Sequence, residues 1–161
     1  MCGIFGIITS HNSVNLNDLK KLVIQSRKRG RDSSGLIYLE DEKYSIIRAD
    51  FDIKKLLNKV KLSKASVILG HTRLITNGLS DNQPVLRGNL AVIHNGIIVN
   101  EDNVWSKING TRNRKIDSEI IVAVAEESLA NNVSIEDMPS KILNLCEGVV
   151  ACSLLLPKLG K

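Results

Sequence analysis

Aromatic side chains are scarce in this 161-residue chain, which has two Phe, two Tyr and one Trp. Its core must therefore rest on Ile, Val and Leu. A surface that stacks bases on interleaved aromatic rings is not available to it. Cysteine is scarce too: there are three, an odd number, with no CxxC pair. That argues against a disulfide scaffold and against a structural zinc site. No apolar run approaches the ~18 residues of a membrane-spanning helix. The start, MCGIFGIITSHN, is apolar with no basic segment before it, unlike a signal peptide. These absences predict a cytoplasmic protein with no membrane partner. Repeats, low-complexity tracts and linkers are also lacking, so residues 1–161 read as one domain.

Basic residues are in excess, with a formal net charge of +5 and one local run from Arg27 to Arg31. No nucleic-acid motif accompanies that run, so nucleic acid is not an expected partner.

Hydrophobic periodicity predicts alternating groups of strands and helices. Cys2 to Thr9 is apolar and β-leaning, a buried strand. Asn15 or Asn17 can cap a helix with Leu16, Leu19, Leu22 and Val23 on one face, ending near Gly30. Residues 35–39 and 43–48 read as strands joined by Glu40-Asp41-Glu42. Ile53, Leu56, Leu57 and Val60 mark a short amphipathic helix. A strand over 66–70 leads into His71-Thr72-Arg73, and 78–88 is loop-like. Residues 90–99 read as a strand broken by Asn95-Gly96. Helices follow over 118–130 and around Ile135, Met138, Ile142 and Leu145, then a last strand over 148–156. Cys146 and Cys152, set among apolar residues, read as small core hydrophobes, and Phe5 and Trp105 as core aromatics. Layered α and β structure follows from this order.

Cys2 carries the chemistry of interest. A thiol attacks a carbonyl as its thiolate, so it needs a base or a depressed pKa. Removal of Met1 makes the α-amine belong to the nucleophilic residue itself. With a reference pKa of about 7.7, much of that amine is neutral near pH 7 and can take the thiol proton. No distant histidine is required, and only His11, His71 and His94 exist. Gly3 leaves room for a ligand to approach the backbone. Taken alone, a cysteine at position 2 is a weak signal and reads more readily as a small buried residue opening a strand.

The remaining motifs change that weighting. They are Cys2-Gly-Ile-Phe-Gly-Ile7, Arg29-Gly-Arg-Asp-Ser-Ser-Gly35, Gly70-His-Thr-Arg-Leu-Ile-Thr-Asn-Gly78, Gln83-Pro84, His94-Asn-Gly-Ile-Ile-Val-Asn100 and Asp117-Ser-Glu119. In this order the chain resembles a class II glutamine amidotransferase (glutaminase) domain, as in the sugar-aminating, phosphoribosyl and asparagine synthetase types. The resemblance implies an α+β fold of the N-terminal-nucleophile hydrolase type, a four-layer αββα sandwich of mostly antiparallel sheets. It implies hydrolysis of glutamine through a Cys2 thioester, with ammonia passed to a synthase domain or partner. The alternative is a non-catalytic glutamine-binding or assembly domain of the same fold. An acylase of that fold is disfavoured by Arg73 with Asp117, which suit an amino-acid head group.

Each motif then has an expected role. Arg73 can clamp the α-carboxylate with a bidentate fork, and Asp117 can accept from the α-ammonium; surface ion pairs are the plain alternatives. Asn95 and Gly96 supply a side-chain NH2 and a backbone N–H, implied to form the oxyanion hole; an ordinary Asn-Gly hairpin turn is the other reading. Thr76 and Asn77 are expected to line the glutamine pocket. Arg29 and Asp32 are expected to support the nucleophile's end of the site, with Ser33 and Ser34 adding hydrogen bonds. His71 and His94 read as structural, hydrogen-bonded histidines. No cofactor and no metal is expected. Leu74 stands where the sugar and phosphoribosyl types carry an aromatic, so the ammonia acceptor stays open. Domains of the family run longer, so a C-terminally incomplete second sheet is expected, with an exposed edge that invites self-association or a partner chain.

Overall fold

A computed structural model describes residues 2–10, 13–40, 43–60, 65–74 and 82–156. The chain divides into two compact units, Met1–Pro84 and Val85–Lys161, each built on its own antiparallel sheet.

The first unit contains β1 (Gly3–Ile8), α1 (Leu16–Arg27), β2 (Ser33–Glu40), β3 (Lys43–Ala49), α2 (Ile53–Leu57) and β4 (Val67–Arg73). Of the two candidate caps, Asn15 begins α1: its side-chain oxygen accepts from the N–H groups of Asn17 at 2.8 Å and Asp18 at 3.4 Å. Such a cap is worth about 1 kcal/mol. Leu19 and Val23, four apart on one helix face, are buried against β1 and β4 and contribute about 1.5–3 kcal/mol each. The strand order is β1-β4-β2-β3, antiparallel throughout. In its register Gly3 pairs with Thr72 and Ser33 with Arg73. The start of β1, the end of β4 and the start of β2 therefore lie at one end of the sheet. The expected turn residues Asp41 and Glu42 lie outside the described residues.

The second unit contains β5 (Val85–Arg87), β6 (Leu90–Ile98), α3 (Glu101–Lys107), α4 (Ser118–Ala130), α5 (Met138–Leu145) and β7 (Gly148–Leu155), with strand order β5-β6-β7. Residues 118–125 of α4 are all buried, the signature of a helix enclosed on every side. It packs on β5, β6 and α5. Ile120, Ile121, Val92 and Ile98 centre the core, and Trp105 is partly buried against it.

Four expectations need correction. The stretch 78–88 is not all loop: Val85–Arg87 forms β5, joined to β6 by a turn at Gly88-Asn89 with Gly88 at φ 54°. Asn95-Gly96 neither breaks its strand nor turns a hairpin; both residues sit inside β6, paired with Ala151 and Val150. The glycine is there because a Cβ on Gly96 would lie 1.8 Å from the carbonyl oxygen of Val149. The strand expected over 66–70 does not stop there: it continues through His71, Thr72 and Arg73 as part of β4. Cys152 is exposed, not core, because it lines an open groove between α5 and β7, the edge strand of its sheet among the described residues.

Candidate active site

Sheet register gathers the first unit's candidate residues. Cys2 directly precedes Gly3, and Arg73 directly follows Thr72, the partner of Gly3 across β1 and β4. Cys2 is half-buried, and the Nε–H of Arg29 donates to its carbonyl oxygen at 3.2 Å. The Asp32 N–H donates to the carbonyl of Arg73 at 3.0 Å. Between them, Gly30 lies flat on the backbone of β4: a Cβ there would be 2.6 Å from the carbonyl carbon of Arg73 and 2.8 Å from the nitrogen of Leu74. Any larger residue would lift the Arg29–Asp32 segment off the strand end. Cys2, Arg29, Asp32 and Arg73 thus meet at one end of one sheet, drawn from three separate motifs.

Gly3 does not provide the open approach anticipated for it. A Cβ there would meet Ser26 Oγ at 2.5 Å and Thr72 Oγ1 at 2.7 Å. Those two hydroxyls lie 2.8 Å apart, and Thr72 Oγ1 also donates to the Ser26 carbonyl at 2.8 Å. The missing side chain lets the C-terminal turn of α1 seat on β1 and β4, which fixes the strand that Cys2 leads into. Ser34 Oγ donates to the Phe51 carbonyl at 2.6 Å. Asn82, which no motif singled out, donates to the carbonyls of Ser34 and Ala49. Gln83 rests on Gly35, where a Cβ would come 1.8 Å from its carbonyl oxygen. His71 is fully buried on β4. Thr76 and Asn77 lie outside the described residues.

The second unit holds the other group. His94 is buried on β6; its Nε2 lies 3.3 Å from the Val149 carbonyl oxygen and its Nδ1 3.1 Å from Ser118 Oγ. A carbonyl only accepts, so Nε2 carries the proton of that bond. Asp117 leads into α4; its Oδ2 accepts the Ile98 N–H at 3.0 Å and its Oδ1 the Ser118 hydroxyl at 3.3 Å. Successive residues of an antiparallel strand turn their N–H groups to alternate sides. The Val99 N–H points to the β7 side, donating to Glu147 at 2.9 Å, and the Ile98 N–H points the other way, to Asp117. Gly96, two residues before Ile98, presents its N–H on the same side as Asp117, beyond the stretch of β6 that pairs with β5. That unit also contains a thiol unsuited to attack: burial pushes Cys146 up to about 11, which keeps it protonated near neutral pH.

No protein-family model matches the chain. Curated proteins do. The glutamine–fructose-6-phosphate aminotransferase (isomerizing) of Bradyrhizobium diazoefficiens is 32% identical over 166 residues, covering 96% of this chain and 26% of that protein. That of Wigglesworthia glossinidia brevipalpis is 30% identical, covering 92% and 26%. Among solved structures, the glutamine phosphoribosylpyrophosphate amidotransferase of B. subtilis, complexed with ADP and GMP, superposes with a TM-score of 0.77 at 23% identity, over 97% of this chain and 35% of its own. The chain is homologous to the class II glutamine amidotransferases.

Its fold is theirs, α+β with antiparallel sheets, as the motif order implied. The chain spans about a quarter of the length of these curated relatives. No helix among the described residues is long and apolar enough to cross a membrane. Arg87 was given no role because it sits on the three-residue strand that pattern reading assigned to loop, and Glu119 closed its motif without a role of its own, although it is buried in the first turn of α4.

Proposed function

We propose that this chain is a glutaminase module that hydrolyses the side-chain amide of glutamine and delivers ammonia to a synthase domain or partner chain. After removal of Met1, the α-amine of Cys2 takes the thiol proton, and Sγ attacks the amide carbon. The tetrahedral oxyanion is held by the Asn95 side-chain NH2 and the Gly96 N–H, each worth about 3–4 kcal/mol in such a role. The C–N bond breaks, and the nitrogen leaves as ammonia with the proton held by the α-amine. Water then adds to the thioester carbon, the C–S bond breaks, and glutamate departs with the thiol restored.

Arg73 holds the α-carboxylate and Asp117 the α-ammonium, so the amide is presented to Cys2 by its distant head group. Thr76 and Asn77 line the pocket, while Arg29, Asp32, His71 and His94 support it. No cofactor or metal enters these steps. The cytoplasm, where thiols stay reduced, suits the reaction, and an oligomer is the form in which we expect it to work.

The observation that carries this reading is the meeting of Cys2, Arg29, Asp32 and Arg73 at one sheet end. The test is glutamate release from glutamine by the Met1-processed protein, with mass spectrometry of the N-terminus. A processed chain that releases no glutamate, and whose Cys2 is not labelled by a diazo-ketone analogue of glutamine, would falsify the proposal. A chain that keeps Met1 yet binds glutamine would point to the non-catalytic reading.

A further inference from the structure

The segment before Asp117 has no regular structure, yet charged side chains of neighbouring elements hold it along its length. The Glu119 carboxylate is 1% exposed, although it lies only two residues beyond Asp117. It accepts from the Asn113 N–H at 3.1 Å and the Arg114 N–H at 2.7 Å, folding the segment back over the first turn of α4. Its second oxygen lies 3.4 Å from a guanidinium nitrogen of Arg87 on β5. The same nitrogen of Arg87 donates to the Thr111 carbonyl at 2.8 Å. Arg87 is fixed in turn, its Nε donating to Glu126 at 2.5 Å and its guanidinium 5.7 Å from the centre of the Trp105 ring. One buried ion pair therefore holds three backbone groups at 111, 113 and 114, and so sets where the chain enters α4.

A buried carboxylate is costly unless it is charge-paired and fully hydrogen-bonded. An apolar residue at 119 would suit a helix buried on all sides, so Glu119 is out of place as a stability element alone. What it fixes is the approach to Asp117, whose Oδ2 is already held by the Ile98 N–H.

We propose that Glu119, with Arg87, is a positioning residue that holds segment 111–114 so that Asp117 meets the α-ammonium of glutamine. This rests on the assignment of Asp117 made above. It predicts a defect specific to the amino group of the substrate. Glu119→Gln keeps the shape but turns one acceptor into an NH2 that meets a donor whichever way the amide is turned: Arg87 and the Asn113 N–H on one side, the N–H groups of 113 and 114 on the other.

The test compares hydrogen exchange with kinetics in the full, Met1-processed chain. In Glu119→Gln, amides of 109–117 should exchange faster while those of 120–128 in α4 keep their protection. KM for glutamine should rise about tenfold with kcat changed by less than about twofold. KM for 5-amino-5-oxopentanoate, which is glutamine without its α-amino group, should not move. Arg87→Lys keeps the charge but loses the fork that spans Thr111 and Glu119; it gives the same pattern more weakly and serves if Glu119→Gln fails to fold. Unchanged exchange in 109–117 overturns the clamp. Faster exchange with equal effects on both substrates overturns the positioning role. A parent chain that neither turns over nor binds glutamine overturns the functional assignment and the positioning role with it, an outcome told apart because it appears without any substitution.

Discussion

The Nε–H of Arg29 donates to the carbonyl oxygen of Cys2 at 3.2 Å, so the turn that follows α1 is tied to the residue that leads into β1. The bond reaches the backbone of Cys2, and its use is to hold the orientation of that residue. Charge-assisted bonds of this kind are worth about 1.5–3 kcal/mol when buried, and less at an exposed site such as this one. Arg29→Ala should slow labelling of Cys2 by the diazo-ketone analogue about tenfold while thermal stability changes little. Equal labelling rates in parent and variant would remove Arg29 from the site.

Gly96 is required by the backbone itself. The 1.8 Å approach of a Cβ to the Val149 carbonyl cannot be relieved by turning a side chain, so β7 must move. Gly96→Ala should cost about 3 kcal/mol in chemical denaturation. The His94 ring, whose Nε2 would lie 2.7 Å from that Cβ, is displaced with it. A variant as stable as the parent would mean that β6 and β7 pair differently in solution.

Asp52 caps α2, accepting the Lys54 N–H at 2.8 Å and a bond from Arg27 of α1. Burial alone pushes its carboxyl up, but the bonds and charges of Arg27 and Lys54 outweigh burial and hold it below the ordinary range. A carboxyl with a lower pKa folded than unfolded adds stability above its unfolded value of about 3.9, and that stability is lost as pH falls through the folded value. Arg27→Gln should therefore be less stable than the parent by up to about 1 kcal/mol near neutral pH. The gap should close below about pH 4. Denaturation curves across that range would exclude the pairing if the gap stayed constant.

What was legible in the sequence depended on how many residues carried each signal. α4 was read with its observed ends because thirteen residues agree and the motif aspartate stands just before them. α3 went unread because its seven residues bury only Val104, and Asn100 before it makes no capping bond; its side chain ties instead to the Leu145 carbonyl and the Glu147 N–H. β5 is three residues between Pro84 and Gly88, too short for alternation to register. Asn95-Gly96 misled because the pair marks hairpin turns, whereas here the close approach of Val149 demands the glycine, and that strand is distant in sequence. The meeting of Cys2 with the Arg29–Asp32 segment and Arg73 depends on the order β1-β4-β2, which no single motif encodes.

The place of Asn95 inside a continuous strand sharpens what its substitution should do. Its backbone pairs with Ala151 and its side chain is half-buried, so truncation leaves the ladder intact. An oxyanion donor acts on charge that exists only during the reaction, so its loss lowers kcat and leaves substrate binding alone. Asn95→Ala should lower kcat for glutamine about 100- to 1000-fold with KM within about threefold. Asn95→Asp should be slower still, because a carboxylate at that position repels the developing oxygen charge. Labelling of Cys2 in the two variants separates chemistry from folding, since a folded chain still binds the analogue. An Asn95→Ala chain that keeps its kcat would leave the Gly96 N–H as the donor on that strand and remove Asn95 from the mechanism.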